Sequence, residues 1–343
     1  MINETLSKVV DGHAVGREEA QAAMAAIMSG ECTPAQIGAF LVALRMRGET
    51  VEQVAGFAED MRASCVRIAT RHTDVVDTCG TGGDALDTFN ISTAAAIVTA
   101  AAGVPVAKHG NRSVSSQCGS ADVLTELGVR IDLEPAEVSR CLDELGIDFL
   151  FAPSLHPAMK HAIGPRRELG LRTVFNILGP LTNPAGAKRQ LLGVFAAALT
   201  DVMANTLRDL GSTHALVVHG LEGMDELSTL GPTRVSELRD GQVKTREVRP
   251  EQFGLRRAEP EEIEGGDPAR SAEILLTSIS GEEGAPRDIV LLNAGAAIYV
   301  GGRAASIAEG IVLAREAIDS GAARAKLDAL IDMSRTLAEA RES

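Results

Sequence analysis

The sequence predicts an α/β protein: a small all-helical domain, then a larger α/β domain whose mostly parallel central sheet is flanked by helices. Three observations predict this. Residues 3–64 carry helix signals only. From residue 74 short apolar runs alternate with helical stretches, the pattern of strands joined by crossover helices. At the first such junction the glycine-rich run Asp77-Thr78-Cys79-Gly80-Thr81-Gly82-Gly83-Asp84 follows the apolar pair Val75-Val76. An Ala-rich helical stretch then begins with Asn90-Ile91-Ser92-Thr93.

The elements follow in order. Residues 17–28 are Ala- and Met-rich and end at Gly30. Thr33-Pro34 puts a capping hydroxyl before a proline at the first helical position, and Ile37, Phe40, Leu41 and Leu44 share one face of the helix behind it. Thr50-Val51-Glu52-Gln53 fits a capping box for a fourth helix. Strands are predicted at 75–76, 104–107, 149–151, 191–195 and 215–218, with helices at 92–102, 120–127 and 135–145 between them. Residues 234–244 read as a hairpin turning at Asp240-Gly241. The charged stretch 246–268 reads as a solvated connection. Residues 287–341 return to helix, broken at Gly301-Gly302 and Gly321.

Length and composition bound the function. A chain of 343 residues holds two or more domains at about 100–200 residues each. Its 45% hydrophobic and 23% charged residues are an ordinary globular mix. No run reaches the ~18 apolar residues of a membrane span, and the polar, acidic start Met1-Ile2-Asn3-Glu4 is unlike a signal peptide. Five scattered cysteines without a C-x-x-C pair suggest neither zinc nor disulfides, and fit reduced thiols in a cytoplasm. Cys79, beside the glycine turn, reads as a small packing residue. The net charge of −14 argues against nucleic acid, whose backbone dominates such affinity. It leaves room for one small anion in a locally basic pocket, with Lys108, Arg112, Arg166, Arg167 and Arg172 as the available cations.

The glycine turn points to such a pocket. Glycine lets a ligand sit against the main chain, and the helix start behind it offers unpaired N–H groups and partial positive charge. Together they make an anion site, with phosphate the expected anion. The spacing matches neither of the common nucleotide fingerprints. A second run, Lys108-His109-Gly110-Asn111-Arg112-Ser113-Val114-Ser115-Ser116, follows the 104–107 strand and can wrap a phosphate-rich ligand from the other side.

In this order, these runs resemble the anthranilate phosphoribosyltransferase family. Further matching runs are Arg47-Gly48-Glu49-Thr50, His156-Pro157-Ala158-Met159-Lys160 and Phe175-Asn176-Ile177-Leu178-Gly179-Pro180-Leu181-Thr182-Asn183-Pro184. Gly223-Met224-Asp225-Glu226-Leu227-Ser228 and Arg287-Asp288-Ile289-Val290-Leu291-Leu292-Asn293-Ala294 extend the match, which covers residues 3–335. The resemblance implies a helical domain at 1–70 with a mid-chain helical insertion around 165–185, an α/β domain at 74–343, a hinge near 70–78 and a site in the cleft. It implies transfer of the phosphoribosyl group of 5-phosphoribosyl-1-diphosphate to anthranilate, with diphosphate released, in tryptophan biosynthesis. A homodimer and a cytoplasmic location are implied as well.

The same resemblance assigns residues. Gly80, Gly83, Asp84, Thr88, Asn90, Ile91, Ser92, Thr93, Lys108, His109, Gly110, Asn111, Arg112, Ser113, Val114, Ser115, Ser116 and Ser120 are expected around the phosphoribosyl donor. Gly80, Asn111 and Arg166 are expected at anthranilate, the guanidinium meeting its carboxylate. Ser92, Asp225 and Glu226 are expected to hold Mg2+, two ions per subunit, since hard cations take oxygen ligands. Lys108, Asn111 and Arg166 would orient substrates and stabilise charge. No acid or base is implied, because the aromatic amine is unprotonated at neutral pH. His156 and His161, five residues apart, do not share a helix face, so a metal pair is not expected.

A pyrimidine nucleoside phosphorylase would share the architecture, but its glycine signature differs from 80–84 and the 108–112 loop fits it poorly. A nucleic-acid-binding relative should be basic, which this chain is not. A purely structural protein would gain no packing from so many polar loop residues. Ser271, where the family often has Asn, and the variable Asp87 do not disturb the match.

Overall fold

Two threonines begin helices as the sequence predicts. Thr33 Oγ1 accepts the Gln36 N–H at 3.3 Å while the Gln36 side chain accepts the Thr33 N–H at 2.8 Å, and Thr50 and Gln53 repeat the exchange at 3.3 and 3.0 Å. They open α3 (Pro34–Arg47) and α4 (Val51–Ser64), which join α1 (Ile2–Val10) and α2 (Arg17–Met28). The predicted face of α3 is buried, and Phe40 meets Phe57 of α4 edge-on at 6.0 Å. The structure is a computed structural model describing residues 2–83, 86–113 and 117–342. Asp84, Val114, Ser115 and Ser116 of the expected site lie outside the described residues.

The α/β part begins with β1 (Val76–Asp77), α5 (Ile91–Ala101) and β2 (Val106–Gly110). Next come α6 (Ser120–Glu126), α7 (Pro135–Leu145), β3 (Ile147–Phe151), α8 (Ala152–Leu155), α9 (Lys160–Leu169) and α10 (Phe175–Leu178). β4 (Arg189–Gly193), α11 (Leu199–Asp209), β5 (His214–Gly220), β6 (Thr233–Arg239) and β7 (Gln242–Val248) complete the sheet. Helices α12 (Pro268–Ile279), α13 (Ala285–Val300), α14 (Ile307–Asp319) and α15 (Ala322–Glu342) end the chain. Among the described residues the sheet order is β3-β2-β1-β4-β5-β6-β7. The first five strands are parallel and the last two antiparallel. The β6–β7 hairpin turns where predicted, with Asp240 at φ 52° and Gly241 at φ 73°, the left-handed pair that matches strand twist.

Apolar side chains fill both faces of the sheet. On one, Val76, Val106, Phe149 and Leu216 pack with α5, α12, α13 and α14. On the other, Leu192, Val194, Ala215 and Val217 pack with α11, α10 and the N-terminal helices. Among the described residues no helix is long and apolar enough to cross a membrane.

Some predicted bounds are corrected. β2 runs to Gly110 rather than stopping at residue 107, because Lys108 and His109 pair with Phe149 and Leu150 of β3; their polarity disguises strand residues as loop. β4 starts and ends two residues before the predicted 191–195. The 246–268 stretch is not simply solvated: Leu255, Ala258 and Ile263 are buried, and the Ile263 carbonyl accepts Phe89 N–H at 3.3 Å. The sequence reading places no element at α12, although Asp267 caps it through the Arg270 N–H at 2.9 Å.

Candidate active site

Strand order determines where a site can form. From β1 the chain steps outward to β2 and β3, then returns to β4 on the other side of β1. The loops leaving β1 and β4 therefore diverge, and in such sheets the crevice outside the carboxyl ends at this switch point receives ligands. The glycine turn leaves β1 there. It stays on β4: Thr81 N–H donates to the Gly193 carbonyl at 2.9 Å and Gly193 N–H to the Cys79 carbonyl at 3.2 Å.

Asp225, in the loop after β5, closes this corner. Its Oδ2 accepts the Gly82 N–H at 2.9 Å. Two glycines make room for it. A Cβ on Gly80 would lie 2.5 Å from Asp225 Oδ2, and one on Gly193 would overlap the Asp225 carbonyl oxygen. Burial pushes the Asp225 carboxyl up, against the hydrogen bonds from Glu226 and Gly82 and the charge of Lys108.

Lys108 supplies that charge from β2. Its Nζ donates to the Thr78 carbonyl at 2.9 Å and to Ser92 Oγ at 3.1 Å, tying β2 to the glycine turn and the start of α5. Burial lowers the Lys108 pKa, while Asp77, Cys79, Glu226 and Asp225 oppose it. Asp77 is itself buried; it accepts the His109 N–H at 3.1 Å and the Asn183 amide at 2.8 Å. The Cys79 thiol is pushed well up, first by burial and then by Asp77, which suits a packing role rather than a nucleophile.

On the other face of β2, His109 Nδ1 faces the Gly179 carbonyl at 3.2 Å and His109 Nε2 faces His156 Nε2 at 3.2 Å. A carbonyl only accepts, so His109 carries its proton on Nδ1, and His156 must donate from Nε2. Burial brings His109 down to about 3 and His156 to about 4, so both rings are neutral at pH 7.

The basic run beyond β2 folds back on α6. The Asn111 carbonyl accepts the Ala121 N–H and Ser120 Oγ, each at 3.2 Å, and Arg112 pairs with Asp122 at 2.8 Å. Arg166, half-buried in the last turn of α9, lies over the Phe175 ring at 5.1 Å, while Arg167 is exposed. Arg172 lies over the Phe195 ring at 4.6 Å and donates to the Gly83 carbonyl.

Comparison with known proteins decides the family. Residues 3–65 match the model for the "Glycosyl transferase family, helical bundle domain" and residues 72–324 that for the "Glycosyl transferase family, a/b domain". The anthranilate phosphoribosyltransferase of Acetivibrio thermocellus is 53% identical over 97% of this chain and 96% of its own length. That of Thioalkalivibrio sulfidiphilus is 56% identical over 92% and 94%. The chain belongs to the anthranilate phosphoribosyltransferase family. The family's crystal structure from Thermus thermophilus superimposes with a TM-score of 0.91 at 44% identity, covering 96% of this chain and 99% of that one. The Saccharomyces cerevisiae family member in complex with PRPP and Mg gives 0.89 at 28% identity, covering 98% of each.

Within this family frame, most of the expected residues fall into three groups; Gly83, His109 and Arg166 stand apart, with Gly83 bound to Arg172, His109 to Gly179 and His156, and Arg166 over Phe175. Gly80, Ser92, Lys108 and Asp225 come together around one corner of the crevice through the contacts above, with Glu226 beside Asp225. Asn111, Arg112, Ser113 and Ser120, beyond Gly110, are joined to one another and to α6 through the contacts of the basic run, and Ile91 and Thr93 are buried in the first turn of α5. A third group acts locally. Thr88 bridges to Glu264. Asn90 does not cap α5 with its side chain; its amide donates to the Cys118 carbonyl at 3.2 Å and its oxygen accepts the Cys118 thiol at 3.3 Å, so it holds the far end of the basic loop. Lys108 and His109 are strand residues on opposite faces, not loop residues. Asp77, Asn183 and Gly193 have no role that the sequence assigns, yet they hold the corner together. The signal for Asp77 was its place directly before the glycine turn; Gly193 gave none, because its constraint comes from Asp225, 32 residues on.

Proposed function

We propose that this chain transfers the 5-phosphoribosyl group of 5-phosphoribosyl-1-diphosphate (PRPP) to the amine of anthranilate, releasing diphosphate, as in tryptophan biosynthesis. One observation carries the reading: Lys108 and Asp225 bind the glycine turn from opposite sides at the sheet's switch point, in a chain whose relatives bear this activity by name. The diphosphate would sit at the start of α5, beside the glycine turn, whose Thr81 and Gly82 N–H groups are taken up within the fold, with the Lys108 charge near it. The Asn111–Arg112 wall covers the donor from the other side. Arg166 receives the anthranilate carboxylate. Neutral His109 and His156 are unsuited to act as cations, and the unprotonated amine needs no base. Catalysis is then orientation of the two substrates and stabilisation of charge on the departing diphosphate, with the cleft excluding water.

The carboxylates of Asp225 and Glu226 and the Ser92 hydroxyl form an all-oxygen donor set suited to Mg2+, which commonly takes one or two carboxylates and completes its shell with substrate phosphates and waters. In support, Asp225 is buried at the crevice corner and its charge, with that of Glu226, reaches the Lys108 ammonium that binds Ser92 Oγ. When bound, Mg2+ would neutralise charge on the diphosphate oxygens. Two ions per subunit, a homodimer and a cytoplasmic setting belong to the same reading. So do a helical domain at 1–70 with the 165–185 insertion and an α/β domain at 74–343; its support is that Ala162, Phe175 and Leu178 share an apolar cluster with α2–α4.

The test mixes purified protein with Mg2+ and PRPP and follows loss of anthranilate fluorescence. Loss requiring both additions is expected. A folded protein that leaves anthranilate untouched refutes the reading.

A further inference from the structure

Asp122 is the third residue of α6, where a carboxylate has an ordinary task, accepting the N–H of the cap residue. It does so here, from Gly119 at 3.0 Å. Capping explains nothing further, yet the same Oδ2 also accepts the Ser113 N–H at 3.0 Å, and Oδ1 accepts Arg112 Nη1 at 2.8 Å. One side chain thus fastens both flanks of the basic run, Arg112–Ser113 and Gly119. Gly119 is part of the device. A Cβ there would overlap the Ser113 nitrogen and lie 2.7 Å from the Arg112 carbonyl carbon. Burial raises the Asp122 pKa, but the amides of Ser113 and Gly119 and the Arg112 guanidinium outweigh it, leaving a net lowering. The side chain is 20% exposed, so these charge-assisted bonds are partly shielded from water.

We propose that Asp122 is a positioning residue for the phosphoribosyl donor, setting the separation of the two flanks and holding the Arg112 guanidinium ready for the donor's phosphate groups. The inference rests on the reading that this run meets the donor. It does not require anthranilate to be the acceptor.

The test compares wild type with Asp122→Ala, Asp122→Asn and Gly119→Ala. Magnesium diphosphate binding is measured by calorimetry, and KM for each substrate by fluorescence. Loss of a charge-assisted hydrogen bond should raise the donor KM and weaken diphosphate binding by about tenfold or more. The anthranilate KM and kcat at saturating donor should stay near wild type. Asp122→Asn keeps an acceptor oxygen without the charge and should fall between. A folded Asp122→Ala with unchanged donor KM and diphosphate affinity overturns the proposal, as does an equal rise in both KM values. If the alanine variants fail to fold, Asp122→Asn decides: faster hydrogen exchange at the Ser113 and Gly119 amides with a raised donor KM supports the brace, and a wild-type donor KM overturns it. A wild type that ignores anthranilate refutes the acceptor assignment alone, because the diphosphate measurement still reads the brace.

Discussion

At Gly193 a missing side chain matters as much as any charge in the crevice. The Asp225 carbonyl occupies the space a methyl group would need, so Gly193→Ala must displace the loop carrying Asp225 and Glu226. The expected outcome is a loss of activity of about 100-fold or more with a rise in the Mg2+ needed for half-maximal rate, since a misplacement of about 1 Å at a reacting centre has that effect. Wild-type magnesium dependence in Gly193→Ala would refute the placement. Lys108→Met removes a buried cation beneath the proposed diphosphate position and should lower kcat by about 100-fold, the scale of losing one preorganised donor. Arg166→Ala should raise the anthranilate KM by roughly 30-fold, about 2 kcal/mol for a charged hydrogen bond, and leave the PRPP KM near wild type. Equal rises in both constants would argue against Arg166 as the carboxylate partner. Much of this corner was legible because its chemistry is written in runs: glycines before a helix start, cations after a strand, paired acids. Gly193 is not legible, because it is defined by a neighbour far along the chain.

Among the elements, legibility followed the strength of local signals. Helices α3 and α4 were readable to the residue at their starts because Thr33-Pro34 and Thr50 with Gln53 state their caps chemically. β2 was cut short because alternation was invisible: Lys108 turns toward α5 and His109 toward Gly179, so a buried strand carries two polar residues in succession. The 246–268 stretch misled in the opposite sense. Its charges are on the surface, while Leu255, Ala258 and Ile263 reach the core at irregular spacing. The caps give a prediction that belongs to the element rather than the site. Thr50→Ala removes the bond to the Gln53 N–H and should destabilise the protein by about 1 kcal/mol in denaturant unfolding. Its kcat and both KM values should remain wild type; a change in either KM would mean that α4 communicates with the crevice.

Over the whole molecule, among the buried groups that respond to pH, His109 and His156 pull in one direction and Asp148 in the other. His109 and His156 fall from an ordinary value of 6.5 to about 3 and about 4, mainly through burial. The unfolded chain therefore binds more protons than the folded one below pH 6.5, and the stability these rings contribute is lost as pH falls from 6.5 toward 4. Asp148 is the reverse case. It is buried on β3, its Oδ1 accepts the Phe149 N–H at 2.8 Å, its Oδ2 has no hydrogen-bond partner among the described residues, and burial pushes it up to about 8. The folded protein then holds a proton that the unfolded chain releases above 3.8, so the stability due to Asp148 is present at low pH and lost as pH rises from 3.8 to about 8. Of these three groups, the two histidines outweigh the carboxyl between pH 4 and 6.5, and the carboxyl outweighs them above 6.5. Asp148→Asn keeps the acceptor for Phe149 and removes the proton. Its stability relative to wild type should therefore grow by about 1.4 kcal/mol per pH unit between pH 5.5 and 7.5 and level off above about 8. Denaturant unfolding of both proteins at four pH values across that range measures the difference directly, and other titrating groups cancel in it. A gap that stays constant from pH 5.5 to 8.5 would mean that Asp148 is ionised in the folded protein as it is in the unfolded chain.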